Sequence, residues 1–99
     1  MLKINYKSNS LERVCTNYSI AQRKYGERMA RLIHQRVDEL QSADSVEMLV
    51  QYSIGRCHPL ERDRKGEYAM DLVHPYRLIF EQNKTDVQVV RIINIEDYH

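Results

Sequence analysis

The chain opens on Leu2-Lys3-Ile4-Asn5-Tyr6, apolar and polar residues in alternation, which is the two-residue period of a half-buried strand. The period then changes. Asn9 stands three residues before Glu12, a capping-box pattern that starts a short helix over about residues 11–16. Ser19-x-x-Gln22 repeats the pattern and opens a long helix. Its Ala21, Tyr25, Met29, Leu32, Ile33, Val37 and Leu40 recur at helical spacing and form one apolar face. Lys24, Arg28, Arg31 and Gln35 flank that face as a polar stripe. Asp44-x-x-Glu47 opens a third, short helix running to about Tyr52.

From Glu67 onward the chain reads as strands, over 67–73, 76–82 and 86–96, separated by His74-Pro75 and by Gln82-Asn83-Lys84-Thr85. The last of these is apolar on both faces, the mark of a central strand. The expected architecture is α+β. One strand and three helices come first, then an antiparallel three-strand meander, with the helices packed on one face of the sheet.

Composition narrows this further. At 99 residues the chain is expected to be a single domain over residues 1–99, large enough for one core without disulfide or metal staples. Hydrophobic residues at 42% and charged residues at 29% exclude disorder as the main state. No apolar run has the length of a membrane span or a signal peptide, so the expectation is no membrane and a cytoplasmic location. Cys15 and Cys57 form no CxxC and are expected as small buried apolar side chains. Net charge is only +1, but it is segregated: Arg13, Arg23, Lys24, Arg28, Arg31 and Arg36 face Glu27 alone over residues 13–36. A local basic surface is therefore open to a nearly neutral protein. No helix has both a turn-linked recognition pattern and a dense basic face, which argues against direct binding of duplex DNA.

The polar residues left over by this pattern gather in three places. The connection over 56–66 holds Arg56, His58, Arg62, Arg64 and Lys65; Arg77 sits in a strand; and the chain ends on Glu96-Asp97-Tyr98-His99. A meander can bring all three onto the sheet face opposite the helices. Each also has an ordinary reading: a solvated mixed-sign loop, a cross-strand charge partner, a frayed tail. His34 is expected to be solvated on the polar side of the long helix, and His74 to be a turn residue. Cys57, His58, His74 and His99 lack the spacing of zinc ligands, and no Ser-His-Asp or phosphate-cradling glycine pattern occurs. Arginine, histidine and tyrosine without a metal point to phosphodiester chemistry. Arginine offers a planar fork to a phosphate, and histidine exchanges protons near neutral pH.

Three motifs then resemble one family. His58-Pro59-Leu60 followed by Asp63-Arg64-Lys65-Gly66, then Tyr76-Arg77-Leu78-Ile79-Phe80, then Asp97-Tyr98-His99, are similar to the HigB group of RelE-type toxins, the plasmid maintenance killer proteins. Lys24-Tyr25-Gly26 is similar too, and the likeness runs nearly the whole chain. It implies a compact RelE-like fold and the toxin of a type II toxin–antitoxin system. The implied activity is a metal-independent, cofactor-free endoribonuclease that cuts mRNA at the 30S A site of the ribosome. The implied partner is a HigA-like helix-turn-helix antitoxin, which silences the toxin and through which alone operator DNA is contacted. By position, the resemblance assigns His58, Arg77, Asp97, Tyr98 and His99 to catalysis. The basic residues of the 56–66 connection and of the helix stripe, Arg56, Arg62, Arg64, Lys65, Lys24, Arg28 and Arg31, are expected to hold the RNA.

One departure stands out. The family pattern HPLKGDRKG reads HPLERDRKG here, so Glu61 replaces a lysine and Arg62 a glycine. A carboxylate beside an RNA phosphate opposes binding. The alternative expectation is therefore a catalytically weak or inactive module of the same fold, acting through a helix-turn-helix partner.

Overall fold

The computed structural model describes residues 1–97; Tyr98 and His99, two of the expected site residues, lie outside the described residues. In chain order the elements are β1 (Lys3–Tyr6), α1 (Asn9–Thr16), α2 (Tyr18–Tyr25), α3 (Glu27–Ser42), α4 (Val46–Gln51), β2 (His58–Pro59), β3 (Glu67–Asp71), β4 (Tyr76–Gln82) and β5 (Val89–Asp97). The strands lie in the order β1-β5-β4-β3-β2, so the α+β class holds and the two-sided apolar strand is central. The sheet is mixed, however, and not antiparallel throughout. β1 runs parallel to β5, with Ile4 opposite Val90 and Tyr6 opposite Ile92. Parallel neighbours need a long crossover, and here everything between β1 and β5, helices included, provides it. The connection over 56–66 also contributes more than a loop. His58 and Pro59 pair with Ala69 and Tyr68 as a two-residue edge strand, a place where proline's missing N–H costs little.

The helix starts fall one or two residues from the expected ones. Ser8, Asn17 and Ser45 are the caps, each in extended backbone with a side-chain oxygen accepting the N–H three residues on, from Leu11, Ile20 and Met48 respectively. The expected long helix is two. Gly26 sits at φ 86° and ψ 168°, a conformation open to glycine and strained for other residues, and it ends α2 and starts α3. The periodic apolar positions survive this break because both helices pack on the same sheet face. β5 begins at Val89, not at residue 86, because the Asn83 side chain accepts the N–H groups of Thr85 and Asp86 and holds that stretch in a turn.

Leu78 and Phe80 of β4, Met70 of β3 and Val90 and Ile92 of β5 meet Ala30, Ile33, Val37 and Leu40 of α3 in one core. Tyr68 stacks on Phe80 with ring centroids 5.3 Å apart. His34 is not solvated as expected. It is half-buried, with Nε2 3.0 Å from the Val14 carbonyl and its ring edge-on to Tyr18, because α1 and α2 fold back over that side of α3. Alternation along β4 turns Arg77, Ile79 and Glu81 to the other face, away from the helices. On that face Ala69 and Ile79 are fully buried although they stand outside the core, a small apolar floor among long polar side chains.

Candidate active site

His58 and Arg77 meet on that outer face. His58 enters from the edge strand and Arg77 from β4, and the Arg77 Nη1 lies 3.5 Å from the imidazole Nε2. The other ring nitrogen, Nδ1, is 2.7 Å from the Arg56 carbonyl. A carbonyl only accepts, so Nδ1 carries the proton, and Nε2 of the neutral ring presents its lone pair to the site. The chain before His58 is bent to arrange this: Ser53, Gly55 and Arg56 all have positive φ, at 53°, 57° and 55°. Strain of this kind concentrates at functional sites. Arg56, His58, His74, Tyr76 and Arg77, with Asp71, line a depression of about 480 Å³.

The strand register sets the charges in a row. Asp71, Arg77 and Glu96 lie side by side across β3, β4 and β5. Asp71 holds the Arg56 guanidinium at 3.0 Å. Glu96 has two cationic neighbours, and they are not equivalent. Arg64 grips it with both terminal nitrogens, each at 2.9 Å, and also bonds Glu67, whereas the Arg77 Nη2 stands 3.8 Å away, beyond hydrogen-bond length. Arg64 is therefore the principal partner of Glu96, and Arg77, whose side chain is only 13% exposed, stands beside that pair at ion-pair distance.

Hydrogen bonding from Arg64 lowers the Glu96 pKa, so its carboxyl stays ionised well into acid and is no proton donor at neutral pH. A carboxyl with a depressed folded pKa stabilises the fold above its unfolded value of ~4.3, and that contribution is lost as pH falls through the folded value. Arg64→Gln is expected to cost about 1 kcal/mol at neutral pH, after allowing for solvent screening of the more exposed arginine. The two proteins should converge in stability as the pH drops below ~4. Urea unfolding of both across pH 3–7 checks this, and a difference independent of pH would refute it.

A second layer fixes the bend. Arg36 of α3 donates from Nε to the Asp71 carbonyl at 2.6 Å and pairs with Glu39 at 2.9 Å. Gly55 lies against it so closely that a Cβ there would stand 2.7 Å from the Arg36 Nε. Arg36 thus ties the end of β3 to the turn that aims His58.

The other expected site residues are spread more widely. Asp97 is exposed at the end of β5, in register with Tyr76, so alternation turns it away from Arg77. Arg62 and Lys65 are exposed in the turn after β2. Lys24 and Arg28 flank Gly26 at the α2–α3 junction, whereas Arg31 is paired with Glu27 at 3.1 Å, one turn back on α3. From the sequence, Glu96 stands only as a member of the terminal polar group and Arg36 only within the basic stretch, while Asp71 carries no signal at all. Cys57, beside His58, is buried, and burial pushes its thiol up to about 12, so it is no nucleophile. Among the described residues no three His, Cys, Asp or Glu side chains gather as a metal site.

The glycine-to-arginine departure has a structural consequence. Arg62 sits at φ 60°, the left-handed region that glycine occupies freely. Relief of that conformation is worth ~1–2 kcal/mol. The greater freedom of an unfolded glycine takes back ~0.4–1. Arg62→Gly should therefore raise stability by about 0.5–1 kcal/mol, a gain of a few degrees in Tm. An unchanged or lowered Tm by calorimetry would contradict it.

The fold just described is that of RelE/ParE-type toxins. The structure superposes on the YoeB/ParE toxin of Agrobacterium tumefaciens with a TM-score of 0.67 and 14% identity, covering 99% of this chain and 100% of that one. It matches the YoeB chain of the Staphylococcus aureus YoeB–YefM complex with a TM-score of 0.63 and 18% identity, over 100% and 98% of the two chains. The S. aureus YoeB dimer matches at 0.63 and 19%, over 99% and 97%. The sequence matches no protein-family model and no curated protein. At such identities the likeness is one of fold, and the site must speak for the chemistry. Among the described residues no helix is long and apolar enough to cross a membrane.

Proposed function

We propose that the protein is the toxin of a type II toxin–antitoxin pair, an endoribonuclease of HigB type that cuts mRNA on the ribosome and is silenced by a HigA-like helix-turn-helix antitoxin. The observation that carries this reading is the meeting of His58 and Arg77, 3.5 Å apart and 19 residues apart in the chain, on a strained, charge-lined face. The chemistry follows from their geometry. Nε2 of His58 accepts the proton of a ribose 2′-OH as its oxygen attacks the adjacent phosphorus. The O2′–P bond forms, the P–O5′ bond breaks, and a 2′,3′-cyclic phosphate and a 5′-hydroxyl result. Arg77 takes the negative charge that grows on the phosphate oxygens. The proton for the leaving 5′-oxygen is assigned by the resemblance to the terminal Tyr98-His99 pair. Lys24, Arg28, Arg56, Arg62 and Lys65 hold the strand.

One observation favours the module reading instead. Arg56, Arg64 and Arg77 all face carboxylates of the same surface, which reduces what is left for a phosphate, and Glu61 adds an exposed negative charge beside them. Induced expression in a bacterium separates the two. Growth arrest with cleaved mRNA is expected of the parent and more strongly of Glu61→Lys. Growth without cleavage by either protein would replace the nuclease with the module.

A further inference from the structure

The charges around the site are balanced. Arg56 pairs with Asp71 at 3.0 Å, and Arg64 pairs with Glu67 at 3.0 Å and with Glu96 at 2.9 Å. Arg77 makes three cations against three carboxylates, with Glu96 3.8 Å from its Nη2. Glu96 is a fixed charge. Its side chain is 22% exposed, Arg64 holds both of its oxygens, and that bonding keeps it ionised at neutral pH and below. A phosphate oxygen bonded to the Arg77 Nη2 at the usual ~2.9 Å stands within about 7 Å of Glu96. That is inside the ~8 Å Debye length of physiological salt, so the carboxylate repels it.

Such a face responds differently to one charge and to two. Arg77 attracts each negative charge of a ligand and Glu96 repels each, so a second charge gains little. A phosphodiester within an RNA strand carries one negative charge. A phosphate monoester carries ~1.5–2 at pH 7. We propose that Glu96 is a specificity-determining residue, which makes the site take phosphodiesters and turn away phosphate monoesters such as free mononucleotides. The inference rests on the nuclease reading and deepens it, naming the class of phosphate that Arg77 accepts. The reaction itself escapes the repulsion. The second charge of the phosphorane arises as His58 gains the proton, and the imidazolium balances it beside Arg77. A ligand that arrives with two charges brings no such proton.

The test compares a 2′-deoxynucleoside 3′-phosphate with its methyl ester, two uncuttable probes of similar shape that differ by one charge. Binding to the whole protein is followed through the His58 ring signals, at physiological salt and pH 8, where histidine is neutral and the monoester doubly charged. The parent should bind the methyl ester at least as tightly as the monoester. Glu96→Gln should tighten the methyl ester about tenfold and the monoester about a hundredfold, roughly tenfold per unit charge at a dielectric between protein and water. This change of preference should shrink in 1 M salt, where the Debye length is ~3 Å. Arg64→Gln deprives Glu96 of its main partner and should move the preference the other way, which a mere loosening of the fold would not do. Glu81→Gln removes a charge four residues along β4, ~13 Å from Arg77, and should leave the preference unchanged. A parent that prefers the monoester, an unchanged preference in Glu96→Gln, or an equal change in Glu81→Gln overturns the inference and leaves the nuclease reading standing. Neither probe bound at His58 and Arg77, even at millimolar concentration, removes both.

Discussion

Arg77→Ala will lower single-turnover cleavage of mRNA on programmed ribosomes by about 10²–10³, the loss typical when one preorganised donor to a developing oxyanion is removed. The structure explains why the effect should be chemical and not structural. Arg77 is not the partner that satisfies Glu96; Arg64 is, with two bonds at 2.9 Å against the 3.8 Å approach of Arg77. Its removal leaves the carboxylate satisfied and the Leu78–Phe80 core untouched, so Tm should move by only a few degrees. Arg77→Lys sharpens the test. Lysine keeps the charge but presents a point cation in place of a fork, so it should recover part of the rate and not all of it. Cleavage by Arg77→Ala at the parental rate would dismiss Arg77 as the phosphate ligand.

Much of this arrangement is legible in the sequence because it follows from period and punctuation. The alternation of residues 2–6, the helical spacing of Met29, Ile33, Val37 and Leu40, and the two-sided apolar run from Val87 each name an element type and the face it buries. The illegible parts are those decided by the backbone or by pairing at a distance. Nothing local says that β1 joins β5 in parallel, since that depends on where the intervening chain leaves it. Gly26 looks like a tolerable glycine within a continuous apolar stripe, and only its φ of 86° shows that it divides two helices. His58 and Arg77 could be named from their motifs, but their 3.5 Å approach depends on the register of His58 with Ala69 and of Ala69 with Ile79. Glu96, Asp71 and Arg36 are ordinary charged residues in sequence. Their roles exist only because three strands set Glu96, Arg77 and Asp71 in one row and α3 reaches Asp71 from behind.

That support from behind yields the second large effect, at Gly55. Alanine there must adopt φ near 57°, a cost of ~1–2 kcal/mol for a residue with a Cβ. The Cβ would also stand 2.7 Å from Nε and 2.8 Å from Cδ of Arg36. An ordinary exposed arginine would swing aside at little cost, but this one is 13% exposed and tied to the Asp71 carbonyl and to Glu39. Moving it breaks a charge-assisted bond worth ~1.5–3 kcal/mol. Less ~0.4–1 for the entropy of the unfolded glycine, Gly55→Ala should cost about 2–4 kcal/mol. At ~4–8 °C per kcal/mol that is a fall in Tm of roughly 8–30 °C. Catalysis should fall further than stability requires, because the displaced turn carries the Arg56 carbonyl that orients His58. A double-mutant cycle isolates the contact. In an Arg36→Met background the clashing guanidinium is gone, and the alanine should cost only its backbone strain, a coupling of about 1 kcal/mol or more. If the two costs simply add, Arg36 does not brace the turn, and His58 is aimed by its own loop alone.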